Sequence, residues 1–435
     1  MTLVTVALIS FFFVVLKRLT NSVTFSNMSI FLGVWILLLF LFLIRLRPFE
    51  PLSLELQLYL TTFFALYAFS YFLTAAKSTS KARVAKPAIW CDRYRASIGR
   101  FAGFFFILWA ALFLLFINSI QANISVMLLV TQGGARKALS ELHNINLWFY
   151  LFGYLFLIAA TMRPWGPSIF WRVLMVLAFV IVLASMLLTA AKVNFVSAIF
   201  LVYVVWFNKV PRSKMTLLRH AVYVVFGLYF FIFSFSLFTG KVIDANVGST
   251  ASFADILHFG ANALFYPYDY LVSSLAALNK VFLSSQNHSY AFGSTSFFSL
   301  YKILTAFGLL TSDISLPSQF QSFVTVGGVN TNIYTIFYDL IFDFGIFSSL
   351  FMGVFLGLFH GTLDKAEYYG ARPSLSFLSQ ISKLSALLSF INFRYGDTIF
   401  ILAVSIWLAA LLLGHLTTSP RRPILSMAGP GGQKN

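Results

Sequence analysis

Runs of about 16–20 consecutive apolar residues recur along the whole chain, separated by short polar clusters. Each run is long enough to cross the hydrocarbon core of a bilayer as a helix. The pattern predicts about eleven spans, near 2–16, 28–44, 56–74, 101–119, 146–162, 173–190, 193–207, 220–238, 334–358, 383–393 and 398–414. The run at 383–393 is the shortest. A β-barrel needs alternating strands of about ten residues, and that pattern is missing. The fold class this predicts is an all-α polytopic membrane protein, with 1–435 forming a single integral membrane domain.

Two long segments, 120–145 and 239–333, interrupt the spans on one side, and the 77–100 loop dominates the other. The 239–333 segment is rich in aromatics, with Tyr266, Tyr268 and Tyr270 around Pro267, then Tyr290, Phe292, Phe297, Phe298 and Tyr301. Such a composition is too apolar for a disordered linker. It predicts short interfacial helices lying on the membrane face. One candidate helix break, near Thr189–Asn194, has no counterpart elsewhere, so an inverted-repeat transporter is not indicated. The tail at 415–435, basic and rich in Gly and Pro, reads as flexible.

Composition agrees with the pattern: 59% of residues are hydrophobic, 10% are charged, and Phe alone occurs 53 times. Soluble domains carry about 25% charged residues. The net charge of +17 would suit a nucleic-acid partner, but its distribution argues against one. With alternating spans, most Lys and Arg fall on the side of the 77–100 loop and most acids on the other. This is the positive-inside asymmetry. It places the 77–100 loop and the C-terminus in the cytoplasm, and the N-terminus and 239–333 outside. No basic residue precedes the first apolar run, whereas Lys17 and Arg18 follow it, so an uncleaved first span is expected. Cys91 is the single cysteine, which excludes an intrachain disulfide.

Asn330–Gly361 carries the most chemistry. It reads as one long apolar helix with Asp339 and Asp343 near its start, four residues apart and on one face. Opposite lies a small-residue stripe, Gly345, Ser349, Gly353, Gly357 and Gly361, of the kind that lets a second helix pack closely. A carboxylate in a span costs about 2.5–3.5 kcal/mol on insertion scales unless it faces protein or water. Arg136, Lys137, Lys192, Arg394 and Asp397 fall on the same predicted side. Fixed cations and guanidinium forks suit a diphosphate, and a carboxylate suits activation of a hydroxyl. Plainer roles fit the same residues: Lys192 as a snorkelling side chain, Arg394 paired with Asp397, Arg136 as a loop charge, and Asp339 as a first-turn acid favouring the helix dipole.

Other chemistries find no support. The chain has no Walker A loop, no HExxH and no GxSxG elbow. Its six histidines are scattered without metal-ligand spacing, so no metal and no cofactor is expected.

The segment Asn330–Gly361 resembles the signature region of the Wzy-type O-antigen polymerases, the oligosaccharide repeat unit polymerases of Gram-negative bacteria. The resemblance lies in Gly327-Gly328, Asn332-Ile333-Tyr334-Thr335, Asp339, Asp343-Phe344-Gly345, and the glycines at 353, 357 and 361. Phe393-Arg394-Tyr395-Gly396-Asp397 looks similar too. The likeness is specific over about 320–400 and otherwise rests on topology. It implies a class C glycosyltransferase-like fold in the bacterial inner membrane, with a periplasmic active site. The implied reaction is transfer of a growing glycan from undecaprenyl diphosphate to a lipid-linked repeat unit, in lipopolysaccharide biosynthesis. Within that scheme Asp343 or Asp339 would be the base. Arg136, Lys192 and Arg394 would hold the diphosphate. Asn332, Tyr334, Tyr268, Tyr270 and His288 would contact glycan. A Wzz-type chain-length regulator is an implied partner. The competing readings are an O-antigen ligase and a lipid-linked oligosaccharide flippase.

Overall fold

A computed structural model describes residues 2–20, 23–76, 95–123, 145–162, 169–188, 192–209, 222, 226–227, 253–284, 293–306, 308–309, 324–331, 334–369, 373–391, 395, 397 and 399–406. The chain is an all-α membrane protein with one small hairpin. Three helices open it: α1 (Thr2–Leu19), α2 (Asn27–Ile44) and α3 (Leu54–Ala75). Four follow: α4 (Arg95–Asn123), α5 (Ile145–Met162), α6 (Ile169–Leu188) and α7 (Lys192–Lys209). Next come α8 (Phe253–Ser284), α9 (Phe298–Ala306), the antiparallel hairpin β1 (Val324–Val326) and β2 (Val329–Thr331), α10 (Ile336–Tyr369) and α11 (Pro373–Leu387).

Among the described residues five helices are long and apolar enough to cross a membrane: α1, α2, α3, α4 and α10. Three shorter apolar helices lie within α5, α6 and α7. The predicted span at 220–238 lies almost wholly outside the described residues, as does the tail at 415–435. The span predicted at 383–393 is not among these helices. That stretch is the end of α11, which starts at Pro373 and is 15 residues long, followed by a short 3-10 turn at Leu388–Phe390. Serines at 379, 382 and 385, with Gln380 and Lys383, give α11 a polar face that the apolar run concealed.

Within 239–333 the described residues hold one short helix, α9, and also a long one that the prediction of short helices did not include. A single helix of 32 residues, α8, runs through the tyrosine cluster with Pro267 inside it. Proline removes one backbone donor, and the many helix-forming residues on either side continue the helix across that gap.

Two apolar clusters organise the bundle. One joins α1, α2, α3, α8 and α10, and includes Phe31, Trp35, Phe63, Phe64 and Phe337. The other joins α4 to α7 with α11, and includes Trp109, Phe149 and Phe156. Polar contacts fix which helix ends meet. At one end Thr20 bridges Ala76, Asn27 meets Asp364 of α10, and Asn208 of α7 meets Phe25. At the other, Tyr268 accepts from the Leu46 N–H, and Asn279 accepts from the Ser53 N–H and donates to Pro51. The ends of α1, α3, α7 and α10 and the start of α2 therefore share one side, as the alternation predicts.

The glycine stripe packs against α3. A Cβ on Gly353 would lie 3.0 Å from the Phe63 carbonyl oxygen, one on Gly357 would run into Ser70 and the Tyr67 carbonyl, and one on Gly361 into Thr74. Gly345 does not belong to the stripe. Its φ of 75° and ψ of 172° are non-helical and break α10 in two. The two parts double back. Phe337 packs edge-on to Phe63 at 4.7 Å between ring centroids, and the position of a Cβ on Gly353 is 3.3 Å from that same ring. In a straight helix residues 337 and 353 would lie about 24 Å apart. A single phenylalanine touches both, so the chain folds back at Gly345. The expected single straight helix is thus a short buried arm, 336–344, and a spanning arm, 346–369.

Candidate functional site

The short arm sets the site. Tyr334, Thr335, Ile336, Phe337, Asp339, Leu340, Ile341 and Asp343 are all buried. Backbone that turns back inside a membrane is tolerated where protein or a cavity surrounds it. Phe337 supplies the anchor, packed edge-on to Phe63 and Phe64 and against Trp35 at 4.7 Å. The positive φ at Gly345 favours glycine because it has no Cβ.

Asp343 is fully buried. Its Oδ1 accepts the Thr295 backbone N–H at 3.0 Å, and its Oδ2 accepts that of Ser296 in a short contact. Thr295 and Ser296 lie just before α9, where backbone donors lack helical acceptors. A carboxylate satisfies such donors well. Asp343 is therefore an anchor that ties the fold-back to the 293–306 segment. Gly293 keeps a positive φ of 85° and packs beside Phe344 in the same contact. Asp339, one turn earlier, is 4% exposed. The rings of Tyr334 and Tyr338 pack beside it, tilted, with centroids 4.5 Å apart.

The predicted residues separate. Asp339, Asp343 and Tyr334 come together on the short arm. Tyr268 lies elsewhere at the same end of the bundle, its hydroxyl accepting from Leu46, with Tyr270 two residues on in α8. Lys192 opens α7, and its side chain falls outside the described residues, as do Arg136, Arg394, Asn332 and His288. Sequence reasoning passed over Arg47, which binds Asp269 through Nε and Nη2 at 3.0 and 2.9 Å and lies over Phe265. The hydrogen bond to Asp269 holds the Arg47 pKa above its ordinary value, so it stays cationic. Its partner sits in the tyrosine cluster, and that proximity was the available signal.

A second polar cluster, at the opposite end, was missed entirely. Asp364 accepts from the Asn27 N–H and Nδ2 at 2.8 Å, the Met28 N–H at 3.2 Å and the Tyr71 hydroxyl at 2.9 Å. It thus caps α2 from another helix. Lys383, fully buried, pairs with Glu367 at 2.6 and 2.8 Å. Ser379 and Gln380 donate to the same carboxylate. His360 links Tyr67 at 2.8 Å and Tyr395 at 2.6 Å. Tyr395 donates onward to the Ser382 carbonyl, so it accepts from Nε2–H, and Nδ1 accepts from Tyr67. The signal lay in the i, i+4 spacing of His360 and Asp364 beyond the predicted end of the span.

Among the described residues no group of three or more His, Cys, Asp or Glu side chains is placed to hold a metal ion. The fold and the two buried polar ends define a helical integral membrane protein with an acid-bearing fold-back. No family of known proteins, curated protein or solved structure matches the chain.

Proposed function

We propose that the protein is a glycosyltransferase of the O-antigen polymerase type, acting at the membrane face where the short arm of α10 lies. The carrying observation is that arm, which holds two buried carboxylates, with Tyr338 on it packed against Tyr334 just before it. An aromatic layer of Phe337, Trp35, Phe63 and Phe64 separates it from the polar cluster at the other end. That separation favours chemistry at one surface over passage through the bundle. The resemblance of 320–400 to the polymerase signature supports the same reading, with a class C glycosyltransferase-like fold.

In this scheme the donor is a glycan on undecaprenyl diphosphate and the acceptor is a lipid-linked repeat unit. Asp343 accepts from two backbone donors, and Asp339 or Asp343 is the proposed base for the acceptor hydroxyl. Tyr334 and its neighbour Tyr338 supply an aromatic surface for sugar, and Arg136, Lys192 and Arg394 remain the proposed diphosphate ligands. The active face is periplasmic and a Wzz-type regulator is the proposed partner. The fold-back itself favours a second reading, a lipid-linked oligosaccharide flippase, because broken helices form substrate sites in transporters. A lipopolysaccharide gel from a strain lacking the protein distinguishes them. Core bearing a single repeat unit and no ladder supports the polymerase. Core with no repeat points to the flippase or a ligase, and an unchanged ladder removes all three.

A further inference from the structure

The fold-back at Gly345 leaves an electrostatic imbalance. Asp343 is wholly buried and, among the described residues, has no ion pair; its printed partners are two backbone N–H groups. The same two residues carry hydroxyl side chains. The Thr295 Oγ1 and the Ser296 Oγ are both buried and, among the described residues, both lack a hydrogen-bond partner. Buried hydroxyls in native proteins are nearly always satisfied, so each orphan needs an explanation. Each backbone nitrogen bonded to Asp343 lies about one hydrogen-bond length from the carboxylate, and each hydroxyl lies about as far again from its own nitrogen. The hydroxyl oxygens are therefore at most about 6 Å from the carboxylate, and one bound ion joins such oxygens when they lie within about 5 Å.

We propose that Asp343, Thr295 and Ser296 form a binding site for a single alkali-metal cation that locks the fold-back of α10. The donors are all hard oxygens, the chemistry that suits such ions. One carboxylate neutralises one monovalent charge, which removes the cost of burying Asp343 as an unpaired anion. The carboxylate keeps lone pairs beyond those used by the two N–H groups. Breaks in membrane helices supply oxygen ligands to sodium in transporters, through the same combination of unwound backbone and side chains. The site stands whether the neighbouring Asp339 serves transfer or transport, since it needs only the geometry around Gly345.

Thermal unfolding of the purified protein in detergent tests it, in sodium, potassium or choline chloride at equal ionic strength. Asp343 itself is a poor probe, because its loss also uncaps two backbone donors. Ser296→Ala and Thr295→Val are better, because each removes a hydroxyl with no protein partner. A cation site raises the melting temperature in sodium or potassium over choline by roughly 2–4 °C. Ser296→Ala loses that rise while matching the wild type in choline. If the salts are equivalent and Ser296→Ala is at least as stable as wild type in all three, the proposal is overturned. If Ser296→Ala is weakened equally in every salt, the orphan hydroxyls hold water, and the proposal is again overturned.

Discussion

At the scale of single residues the α3–α10 contact is graded, and the gradation is testable. Gly357 faces Ser70 and the Tyr67 carbonyl, so a methyl there strikes backbone that cannot yield. Gly357→Ala is expected to cost about 1–3 kcal/mol, the range for overpacking. Gly353→Ala meets the Phe63 carbonyl at 3.0 Å and should cost less. Gly33 in α2 has open space around it, so Gly33→Ala should stabilise by up to about 1 kcal/mol through helix propensity. Melting curves of the three variants should fall in that order, and equal losses at 353 and 357 would mean that the helices can separate. His360 offers a second comparison. Tyr67→Phe removes a donor to Nδ1 and leaves a neutral acceptor bare, a loss of about 1–3 kcal/mol. His360→Ala strands two tyrosine hydroxyls and opens a cavity, so it should be the more damaging of the two. If it melts no lower than Tyr67→Phe, the relay is not a structural unit.

Between elements, the junction of α10 and α11 rests on charge that the membrane does not solvate. Removing Glu367 leaves the buried Lys383 without its ion-pair partner, which costs about 3–5 kcal/mol, and removing Lys383 leaves the partly exposed Glu367 and should cost less. Glu367→Gln should be strongly destabilising and Lys383→Met less so, and the double variant should recover most of the loss. A double-mutant cycle reads the coupling directly; additive losses would show that the pair is screened. This junction also shows where the sequence could be read and where it could not. α1, α2 and α3 were legible because each is a single apolar run between polar ends, and sidedness followed from their order. The glycines at 353, 357 and 361 announced a close helix contact. The fold-back was hidden, because 336–344 and 346–369 are equally apolar and nothing but Gly345 separates them; burial between α2 and α3 decides the turn. Asp343 looked like a base for the same reason: its two backbone partners come from residues 47 and 48 positions away in the chain. Lys383 and Asp364 were not singled out, and their partners, Glu367 and Asn27, are recognisable only after α2, α10 and α11 have packed.

For the whole molecule, orientation decides whether the proposed chemistry has access to its substrates. The ends of α1, α3, α7 and α10 and the start of α2 lie together, with Lys17 and Arg18 just inside this end of α1. The basic 77–100 loop leaves from the same end, directly after α3. Positive charge beside short loops is retained in the cytoplasm, and on that rule we propose that the short arm of α10 lies towards the outer face. Cys91, the single cysteine, reports this without any engineering. In intact cells or right-side-out vesicles a membrane-impermeant maleimide should leave Cys91 unlabelled, and it should label after permeabilisation or in inverted vesicles. A cysteine placed at Arg45 in a Cys91→Ser background should give the reverse pattern, since Arg45 is exposed at the opposite end of α2. The pair controls for a buried or unreactive thiol, because each site must label under one condition. If Cys91 labels from outside and position 45 does not, the bundle is inverted. Asp339 would then face the cytoplasm, away from a polymerising glycan, and the polymerase reading would fall even though every contact described above remained intact.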